Sequence, residues 1–331
     1  MRRTRLVDVA AAAEVSRATV TNALNGTGRM SAATRTRVRA VAADLGYRTA
    51  PRTLALSVTA RGGLQWDFLS VHYYAAMVNA ATAAAHRLGY GLTILPAGIT
   101  AWDVPAATGA LILDSPAEDR LAEQAAQAAL PLAFVGRPAD MRTAGWVDND
   151  HAGSVRTVLD HLAGQGARRI ALMAGDCTDH YTRACVAAYR DWCRENSGYE
   201  RVAAFEFGRD TAGELLGGPG RPDAVYGIYE DMGRQLLAAA DRNGLRVPDD
   251  VLVACFSEDP SYALTTPPVT TVSHTPQAGG RLAVEGLVRM IEGGVRQRPT
   301  VVPTRLVVRA STLRNRPDGE RRRPGLSASP P

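Results

Sequence analysis

The amino-acid sequence predicts an α/β protein in which a small helical segment precedes a larger core of parallel sheets. Two observations predict this fold. Three short stretches with helical spacing of apolar residues occupy the first 47 residues, and strand-like and helix-like stretches then alternate over about 240 residues. The length of 331 residues also exceeds what one hydrophobic core usually supports, which predicts more than one domain.

The N-terminal segment is predicted to form three helices. Apolar residues at helical spacing predict the first over 6–13, and Ser16 is a favourable N-cap for the second. The stretch "NGTGRM" that follows the second helix cannot continue it. Ser31 caps the third helix, over 32–45, and Gly46 ends it.

The rest of the chain is predicted as parallel sheets covered by helices. Helix-like stretches lie at 74–88, 117–129, 152–164, 183–195, 231–243 and 278–292. The apolar strands between them are "GLTILP", "GALILD", "PLAFVG", "RIALMAG", "DAVYGIY" and "VLVACF". We place the first core strand in "GGLQWDFLS", although it is poorer in aliphatic residues than a buried parallel strand should be. Residues 48–61 are predicted as a linker and 314–331 as a disordered basic tail.

The charge is distributed unevenly along the chain. The formal net charge is +5, but residues 1–62 carry eleven arginines against three carboxylates, a local charge of +8. The tail from Arg314 adds +3, so the middle of the chain is acidic. A basic head on an acidic body indicates contact with a polyanion at one end of the molecule.

The sequence also excludes several classes of protein. None of the four cysteines forms a C-x-x-C pair, and no histidine cluster has metal-ligand spacing, so we predict neither a metal nor a cofactor. No nucleophile elbow, P-loop or dinucleotide fingerprint is present, and the carboxylates are scattered, which predicts that the chain is not an enzyme. Asp8 and Glu14 interrupt a would-be signal peptide, and no apolar run is long enough for a membrane span. We therefore expect a cytoplasmic protein.

The second helix carries polar residues suited to double-stranded DNA. Its outward residues are Arg17, Ala18, Thr21, Asn22 and Asn25. Arginine matches the acceptor edge of guanine and asparagine the edge of adenine, each through two hydrogen bonds. Short hydroxyls at helix starts, in Ser16, Thr19 and Thr34, suit phosphates. A helix-turn-helix inserts its second helix into the major groove in this manner.

The segment "DVAAAAEVSRATVTNALNG…MSAATRTRVRAVAADLGYR" resembles the DNA-binding headpiece of the LacI/GalR repressor family. The match is nearly complete from Asp8 to Tyr47. The resemblance implies that Arg17, Ala18 and Asn22 contact bases, and that phosphates are contacted by Ser16, Thr19, Asn25, Ser31 and Thr34. It also implies a homodimer that binds a pseudo-palindromic operator.

The resemblance extends more loosely to residue 312, through "WVDNDHAGSVRTVLDHLAGQGARRIALMAG" and "DAVYGIYEDMGRQLLAAADRNGLRVPDDVLVACF". It implies a periplasmic-binding-protein-like core of two Rossmann-like subdomains with a ligand cleft between them. The expected domain limits are a headpiece at 1–47, a hinge at 48–61 and a core at 62–313. Within the core, the N-subdomain is expected at about 62–150 and 277–305, and the C-subdomain at about 151–276 and 306–313.

The hinge departs from the family pattern. Family members carry an alanine- and arginine-rich hinge in which a leucine opens a base step in the minor groove. Leu56 falls at the family's leucine position, whereas Leu54 takes the place of an arginine. We predict that Leu56 enters the minor groove, alone or together with Leu54. The alternatives are that the hinge helix is weaker in this chain, or that both leucines pack at a dimer interface.

The cleft departs from the pattern more strongly. The family's polar ligand positions fall on Gly136, Cys185, Tyr229 and Ser257, none of which offers the usual carboxylate, guanidinium or amide. A one-residue misalignment would instead bring in Arg183 and Glu258. Otherwise the cleft binds a more apolar or aromatic ligand, or it binds nothing. The aromatic candidates for such a ligand are Tyr73, Tyr74, Phe207 and Tyr229.

These observations predict a homodimeric transcriptional regulator whose affinity for its operator changes with a small-molecule effector, a carbohydrate or an aromatic metabolite. Repression is the mode that the resemblance implies, although the residues do not distinguish it from activation. Two alternatives remain at this point. One is the same architecture with a degenerate cleft, independent of ligand or controlled by a protein partner. The other is a solute-binding protein without a role on DNA, which would leave the basic headpiece unexplained.

Overall fold

The structure is a computed structural model of the chain. It describes residues 4–25, 28–47, 52–58, 67–97, 99, 107–138, 145–175, 179–196, 198–206 and 208–314.

The N-terminal segment forms the three predicted helices. They are α1 (Leu6–Ala12), α2 (Arg17–Asn25) and α3 (Ala32–Asp44). Their small apolar residues form one core, built on Val9, Ala13, Val20, Ala23, Val38 and Ala42. Alanine has a small side chain and the highest helix propensity. Three short helices can therefore pack closely with few large residues between them.

Among the described residues that follow, twelve strands and seven further helices are formed. The strands are β1 (Thr53–Val58), β2 (Gly91–Ile94), β3 (Ala107–Leu113), β4 (Leu132–Val135), β5 (Gly145–Asn149), β6 (Ile170–Ala174), β7 (Val202–Ala204), β8 (Ala224–Gly227), β9 (Leu252–Phe256), β10 (Thr270–Ser273), β11 (Thr300–Val302) and β12 (Arg305–Val307). The helices are α4 (His72–Arg87), α5 (Arg120–Gln127), α6 (His151–Gly164), α7 (His180–Asn196), α8 (Thr211–Gly217), α9 (Met232–Arg242) and α10 (Pro276–Gly293). Short 3-10 helices lie at Phe68–Ser70, Pro260–Ala263 and Ala310–Thr312.

The strands form two six-stranded sheets. The first sheet has the order β11-β5-β4-β3-β1-β2 and all its pairs are parallel. The second has the order β12-β10-β9-β8-β6-β7 and is parallel except for the β10–β12 pair. We call the first sheet with α4, α5 and α10 the N-subdomain, and the second with α6, α7, α8 and α9 the C-subdomain. The predicted α/β fold class, with a three-helix headpiece and two parallel-sheet subdomains, is confirmed.

The chain crosses between the subdomains three times, after β5, after β10 and between β11 and β12. One side chain joins all three crossovers. The Asn149 amide Nδ2 donates to the main-chain oxygens of His274, at 3.0 Å, and Val302, at 2.8 Å. Since Asn149 is buried, this amide ties the three connecting segments together at the base of the cleft.

The prediction that Leu54 and Leu56 enter the minor groove is wrong. Both leucines are 0% exposed and lie in β1, which pairs with β2 on one side and β3 on the other. Five of the six residues of β1 are buried, as expected for a parallel strand covered by helices on both faces. The core therefore begins at Thr53, inside the predicted linker 48–61.

The prediction of the first core strand in "GGLQWDFLS" is wrong for the residues that the structure describes. Phe68–Ser70 forms a 3-10 helix, while 62–66 lie outside the described residues. The 3-10 helix places Phe68 in the core of the N-subdomain, directly before α4. The described residues contain no helix that is both apolar enough and long enough to cross a membrane.

Candidate DNA-binding surface and inter-subdomain cleft

Helix α2 separates its apolar residues from its polar ones. Val20 and Ala23 are fully buried against α1 and α3, whereas Arg17 and Ala18 are exposed. Arg17 is the first residue of the helix, so its guanidinium stands at the end that a major-groove helix directs at base edges.

Asn22, the third predicted base-contacting residue, is half-buried beside the turn that follows α2. Gly28 in that turn has a φ of +75°, and a Cβ placed there would lie 2.8 Å from the Asn22 amide nitrogen. The turn therefore packs against Asn22 so closely that only glycine fits, and the amide is held in place. The side chain of Asn25 lies outside the described residues.

The hydroxyls predicted to contact phosphates form two matching pairs. At the start of α2 the Thr19 amide donates to Ser16 Oγ at 3.0 Å, and the two hydroxyls are 2.8 Å apart. At the start of α3 the Thr34 amide donates to Ser31 Oγ, with the same two distances. Each pair therefore stands over free amide groups at the positive end of a helix dipole. Such an end favours an anion.

The cleft between the subdomains is bordered by the carboxyl ends of the strands. The residues found there include Arg137 after β4, Asp148 in β5, Glu230 after β8, Glu258 after β9 and His274 after β10. Open parallel sheets bind their ligands at this edge. The segments 59–66, 100–106, 139–144 and 176–178 lie outside the described residues.

A carboxylate of the C-subdomain caps a helix of the N-subdomain across the cleft. Glu230 accepts hydrogen bonds from the main-chain amides of His72, at 2.8 Å, and Tyr73, at 3.2 Å, which begin α4. The His72 Nδ1 atom lies 2.9 Å from the same carboxylate, and its Nε2 lies 3.7 Å from Asp259. Because the Glu230 side chain is only 13% exposed and faces a helix N-terminus, this contact favours the closed arrangement of the two subdomains.

Aromatic rings fill the space behind this contact. Tyr73 packs edge-on against Phe256 and His274, with ring centroids 5.7 Å and 6.3 Å apart. Tyr181 lies 5.4 Å from His274 on its other side. Burial raises the pKa of Tyr73 and Tyr181 well above the usual value and lowers the pKa of His274 well below it, so all three are neutral near pH 7.

A polar cluster at the end of β5 lies beside these rings. His151 Nε2 is 2.8 Å from the Asp148 carboxylate, and Arg137 Nε is 3.3 Å from its other oxygen. His180 Nε2 lies 3.9 Å from that second oxygen. Asp148 and His151 are more than nine-tenths buried, yet Asp148 Oδ2 and His151 Nδ1 have no hydrogen-bond partner within the described residues. Buried polar atoms normally have partners, so this cluster has unused capacity for the polar groups of a ligand or for water.

Of the aromatic residues predicted for the cleft, Tyr73 and Tyr74 belong to the N-subdomain and Tyr229 to the C-subdomain. Tyr73 and Tyr74 begin α4, where the Tyr74 hydroxyl donates to the Asp114 carboxylate. The Tyr229 hydroxyl lies 2.7 Å from Thr182 Oγ1 and against Gly175, so this ring packs onto the C-subdomain. Phe207 lies outside the described residues.

The other predicted positions are small or turned away. Cys185 is 1% exposed in the core of the C-subdomain, among the residues of α7 that face the sheet. Ser257 is buried and accepts a hydrogen bond from the Asp259 amide at 2.9 Å. Gly136 follows β4 with a φ of +84°, a conformation that disfavours a side chain. Cys185, predicted as a cleft position, lies instead within a hydrophobic core.

Glu258, the carboxylate of the misalignment alternative, lies at the edge of the cleft and is engaged by the protein itself. This half-buried carboxylate accepts from the Ser273 hydroxyl at 2.9 Å and the His274 amide at 2.7 Å, and burial raises its pKa. It stabilises the second crossover. Arg183 is exposed on α7.

Sequence reasoning missed Arg137, Asp148, His151 and His274 as cleft residues. The signal was present, because each follows or ends an apolar strand at the edge where parallel sheets bind ligands. What the sequence did not show is that these four come from both sheets to the same cleft.

Two protein-family models match separate parts of the chain. A family model for "Bacterial regulatory proteins, lacI family" matches residues 5–50, and one for "Periplasmic binding protein-like domain" matches residues 159–312. An HTH-type transcriptional regulator from the aml 5′ region of Streptomyces limosus is 30% identical, over 95% of this chain and 96% of that relative. The HTH-type transcriptional regulator CelR of Thermobifida fusca is 28% identical, over 93% of this chain and 96% of CelR.

A solved structure is similar over nearly the same extent. A "transcriptional regulator CelR-cellobiose complex" superposes with a TM-score of 0.71 at 27% identity. The match covers 93% of this chain and 100% of the solved chain.

Proposed function

Since this chain belongs to the lacI family of bacterial regulatory proteins and is a DNA-binding transcriptional regulator, we propose that it represses transcription as a homodimer. Two headpieces would enter successive major grooves of a pseudo-palindromic operator. We propose that it acts in the cytoplasm, where the DNA that it would bind is found. The matched relatives are regulators, in agreement with the expectation that the chain is not an enzyme.

The observation that supports the proposed DNA contacts is that α2 has a buried side and an exposed N-terminal end. Arg17, Ala18 and Asn22 supply the base contacts in this proposal. Phosphates are contacted by Ser16, Thr19, Asn25, Ser31 and Thr34, of which the four hydroxyls stand at two helix starts. The local charge of +8 in residues 1–62 adds a salt-dependent attraction that is independent of sequence.

The effector is proposed to bind between the subdomains, beside the Asp148–His151–Arg137 cluster and the ring of Tyr73. A relative's structure holds cellobiose, a molecule with many hydroxyl groups and flat apolar faces. Paired polar side chains suit hydroxyls, and an aromatic ring suits the apolar face of a sugar or an aromatic metabolite. A carbohydrate is therefore the first class to test, and an aromatic metabolite is the second.

Gel-shift titration of the full chain with DNA from the region upstream of its own gene tests the regulator function. We expect a specific complex that survives a large excess of unrelated DNA and weakens as salt rises. A protein that forms no specific complex at low or at high salt would contradict the proposal and would favour a solute-binding role.

Thermal unfolding in the presence of cellobiose, other sugars, sugar phosphates and aromatic metabolites tests the effector site. A ligand that binds only the folded protein raises the melting temperature by mass action. The Glu230 contact and the aromatic rings occupy part of the cleft beside this site. If no compound in the panel raises the melting temperature, the regulator with a ligand-independent cleft is favoured instead.

A further inference from the structure

The headpiece and the core are joined by a very short segment. Tyr47 packs against the headpiece core, and its amide donates to the Ala42 oxygen at 2.8 Å. Thr53 already begins β1, an inner strand of the first sheet that pairs with β2 and β3. Six residue steps separate these two fixed points, which limits their distance to at most about 22 Å even in a fully extended chain.

Arg52 shortens this connection further by fastening its core end. The Arg52 guanidinium donates to the Glu292 carboxylate at 2.8 Å and to the Tyr90 hydroxyl at 3.3 Å. It also lies 5.4 Å from the centre of the Tyr90 ring, and the Arg52 main-chain oxygen accepts from the Gly91 amide. We call these contacts the Arg52 clamp. Only the four residues 48–51 lie between the clamp and the headpiece.

We propose that the Arg52 clamp and the short tether make the core itself position each headpiece on DNA, so that the dimer binds half-sites at one spacing. The inference rests on the proposed homodimeric regulator. The residues that the sequence suggested for a minor-groove hinge lie in β1, so no separate leucine-bearing hinge stands between core and headpiece to absorb a change in geometry. Arg52 is a positioning residue in this scheme.

The physical reason is the helical geometry of DNA. Each added base pair moves one half-site by about 3.4 Å and turns it by about 35° around the axis. A tether that cannot follow this movement leaves the second headpiece unbound, and the avidity of paired sites is lost.

The probe for the test is the DNA that the full-length wild-type protein selects from a randomised library. From it, duplexes are made with the distance between half-sites changed by one or two base pairs in either direction. Four proteins are compared: wild type, Arg52→Ala, Arg87→Ala, and a variant with six Gly/Ser residues inserted between 49 and 50. Arg87 is the matched control, because it pairs with Glu285 of α10 at 2.9 Å, like Arg52 with Glu292, but far from the tether in sequence.

Wild type and Arg87→Ala are expected to lose about 100-fold in affinity when the spacing changes by two base pairs. The insertion variant, whose folded parts are unaltered, should bind all spacings within about threefold. Arg52→Ala should fall between them, because the side-chain contacts that fasten the core end of the tether are lost while the main-chain bond to Gly91 stays.

Three results would overturn the inference. Wild type binding every spacing equally, or the insertion variant keeping the wild-type spacing dependence, would show that the tether does not set the geometry. Arg52→Ala behaving like Arg87→Ala would remove Arg52 from the positioning role. If no sequence is selected at all, the proposed regulator function fails and this inference fails with it, whereas selection without spacing dependence leaves the proposed function intact.

Discussion

At the scale of single residues, the proposed DNA-binding surface of the headpiece depends on which side chains of α2 are buried and which are exposed. The side chains of Val20 and Ala23 are 0% exposed, whereas Arg17, at the start of the same helix, is exposed to solvent. The sequence predicted this division because helical periodicity is a local property.

Arg17→Ala is expected to cost about 1–3 kcal/mol of binding free energy on the selected operator while leaving affinity for unrelated DNA nearly unchanged. The reason is that a base contact adds sequence discrimination, whereas a phosphate contact adds affinity for any duplex. Gel-shift affinities on both DNAs measure it.

The matched control for this prediction is Arg120→Ala, which also removes an exposed arginine at the first residue of a helix, here α5 of the core. We expect it to change neither affinity. Equal losses on operator and unrelated DNA for Arg17→Ala would make Arg17 a phosphate contact.

Leu56 shows where single-residue reasoning failed, and its substitution has a large expected effect. Leu56→Ala leaves a cavity in the hydrophobic core of the N-subdomain and should lower the free energy of unfolding by about 2–5 kcal/mol. Urea unfolding measures this loss. Leu264→Ala is the control, because Leu264 is 84% exposed and its truncation should be close to neutral.

The operator affinity of the folded fraction of Leu56→Ala should equal that of wild type. A stable variant with weakened operator binding would restore the minor-groove role that the buried position excludes.

His274 links stability to pH. Burial lowers its pKa, so the native state keeps it neutral while the unfolded chain takes up a proton below about pH 6.5. The stabilising contribution is therefore present above that pH and is lost as the pH falls through it. His161 and His180 act in the same direction, since burial lowers their pKa as well, whereas the raised pKa of Glu258 acts in the opposite direction.

Unfolding free energies at pH 7.5 and pH 5.5 should show that wild type is less stable at the lower pH. His274→Phe keeps a ring against Phe256 and removes the titrating group, so its stability should depend less on pH. An unchanged pH dependence in this variant would show that His274 is not the group responsible.

At the scale of elements, long helices were predicted well and short strands less well. The stretch predicted at 278–292 corresponds to α10, and that at 152–164 to α6, because several turns of amphipathic periodicity accumulate into a clear pattern. β1 was missed, since its six residues lie in a basic segment that the family comparison had suggested as a hinge. Short strands buried on both faces have no alternation to distinguish them.

The contact between α4 and α10 in the N-subdomain depends on glycine. A Cβ on Gly280 of α10 would lie 2.4 Å from the Met77 main-chain oxygen of α4, a distance that backbone cannot relieve locally. Gly280→Ala should therefore separate the helices and lower the free energy of unfolding by about 1–3 kcal/mol. Chemical denaturation measures it.

Gly164→Ala is the control, because this residue ends α6 with open space around its Cβ position. There the higher helix propensity of alanine should stabilise by up to about 1 kcal/mol. If both variants lost the same stability, close packing would not be the cause of the loss in Gly280→Ala.

Helix α10 also connects the cleft with the Arg52 clamp. It begins two residues after His274, at the second crossover, and carries Glu292 in its last turn. Its 18 residues span about 27 Å. One continuous helix therefore runs from the second crossover to the Arg52 clamp.

At the scale of the whole molecule, closure of the two subdomains depends on contacts from both sheets. Glu230 is the main polar contact across the cleft, because it caps α4 while it belongs to the loop after β8. The C-subdomain thus supplies the acceptor that the N-subdomain's helix needs at its start.

Glu230→Gln should shift the balance between closed and open forms toward open by about 1–3 kcal/mol, since it replaces charge-assisted hydrogen bonds with neutral ones. The radius of gyration from small-angle X-ray scattering should rise. Glu285→Gln, which alters an ion pair within one subdomain, is the control and should leave the radius unchanged. A radius that does not change in Glu230→Gln would mean that the aromatic rings alone hold the cleft closed.

The sequence by itself determined the three helices of the headpiece, the residues exposed on α2 and the α/β class of the core. These follow from periodicity, capping and local charge, which act between residues close together in the chain. Only the tertiary structure decided that Leu54 and Leu56 are core residues, that Cys185 faces a hydrophobic core, and that Glu230 closes the cleft on His72. Each of these depends on which strands become neighbours and on contacts between residues distant in sequence, and such contacts leave no periodic mark on the chain.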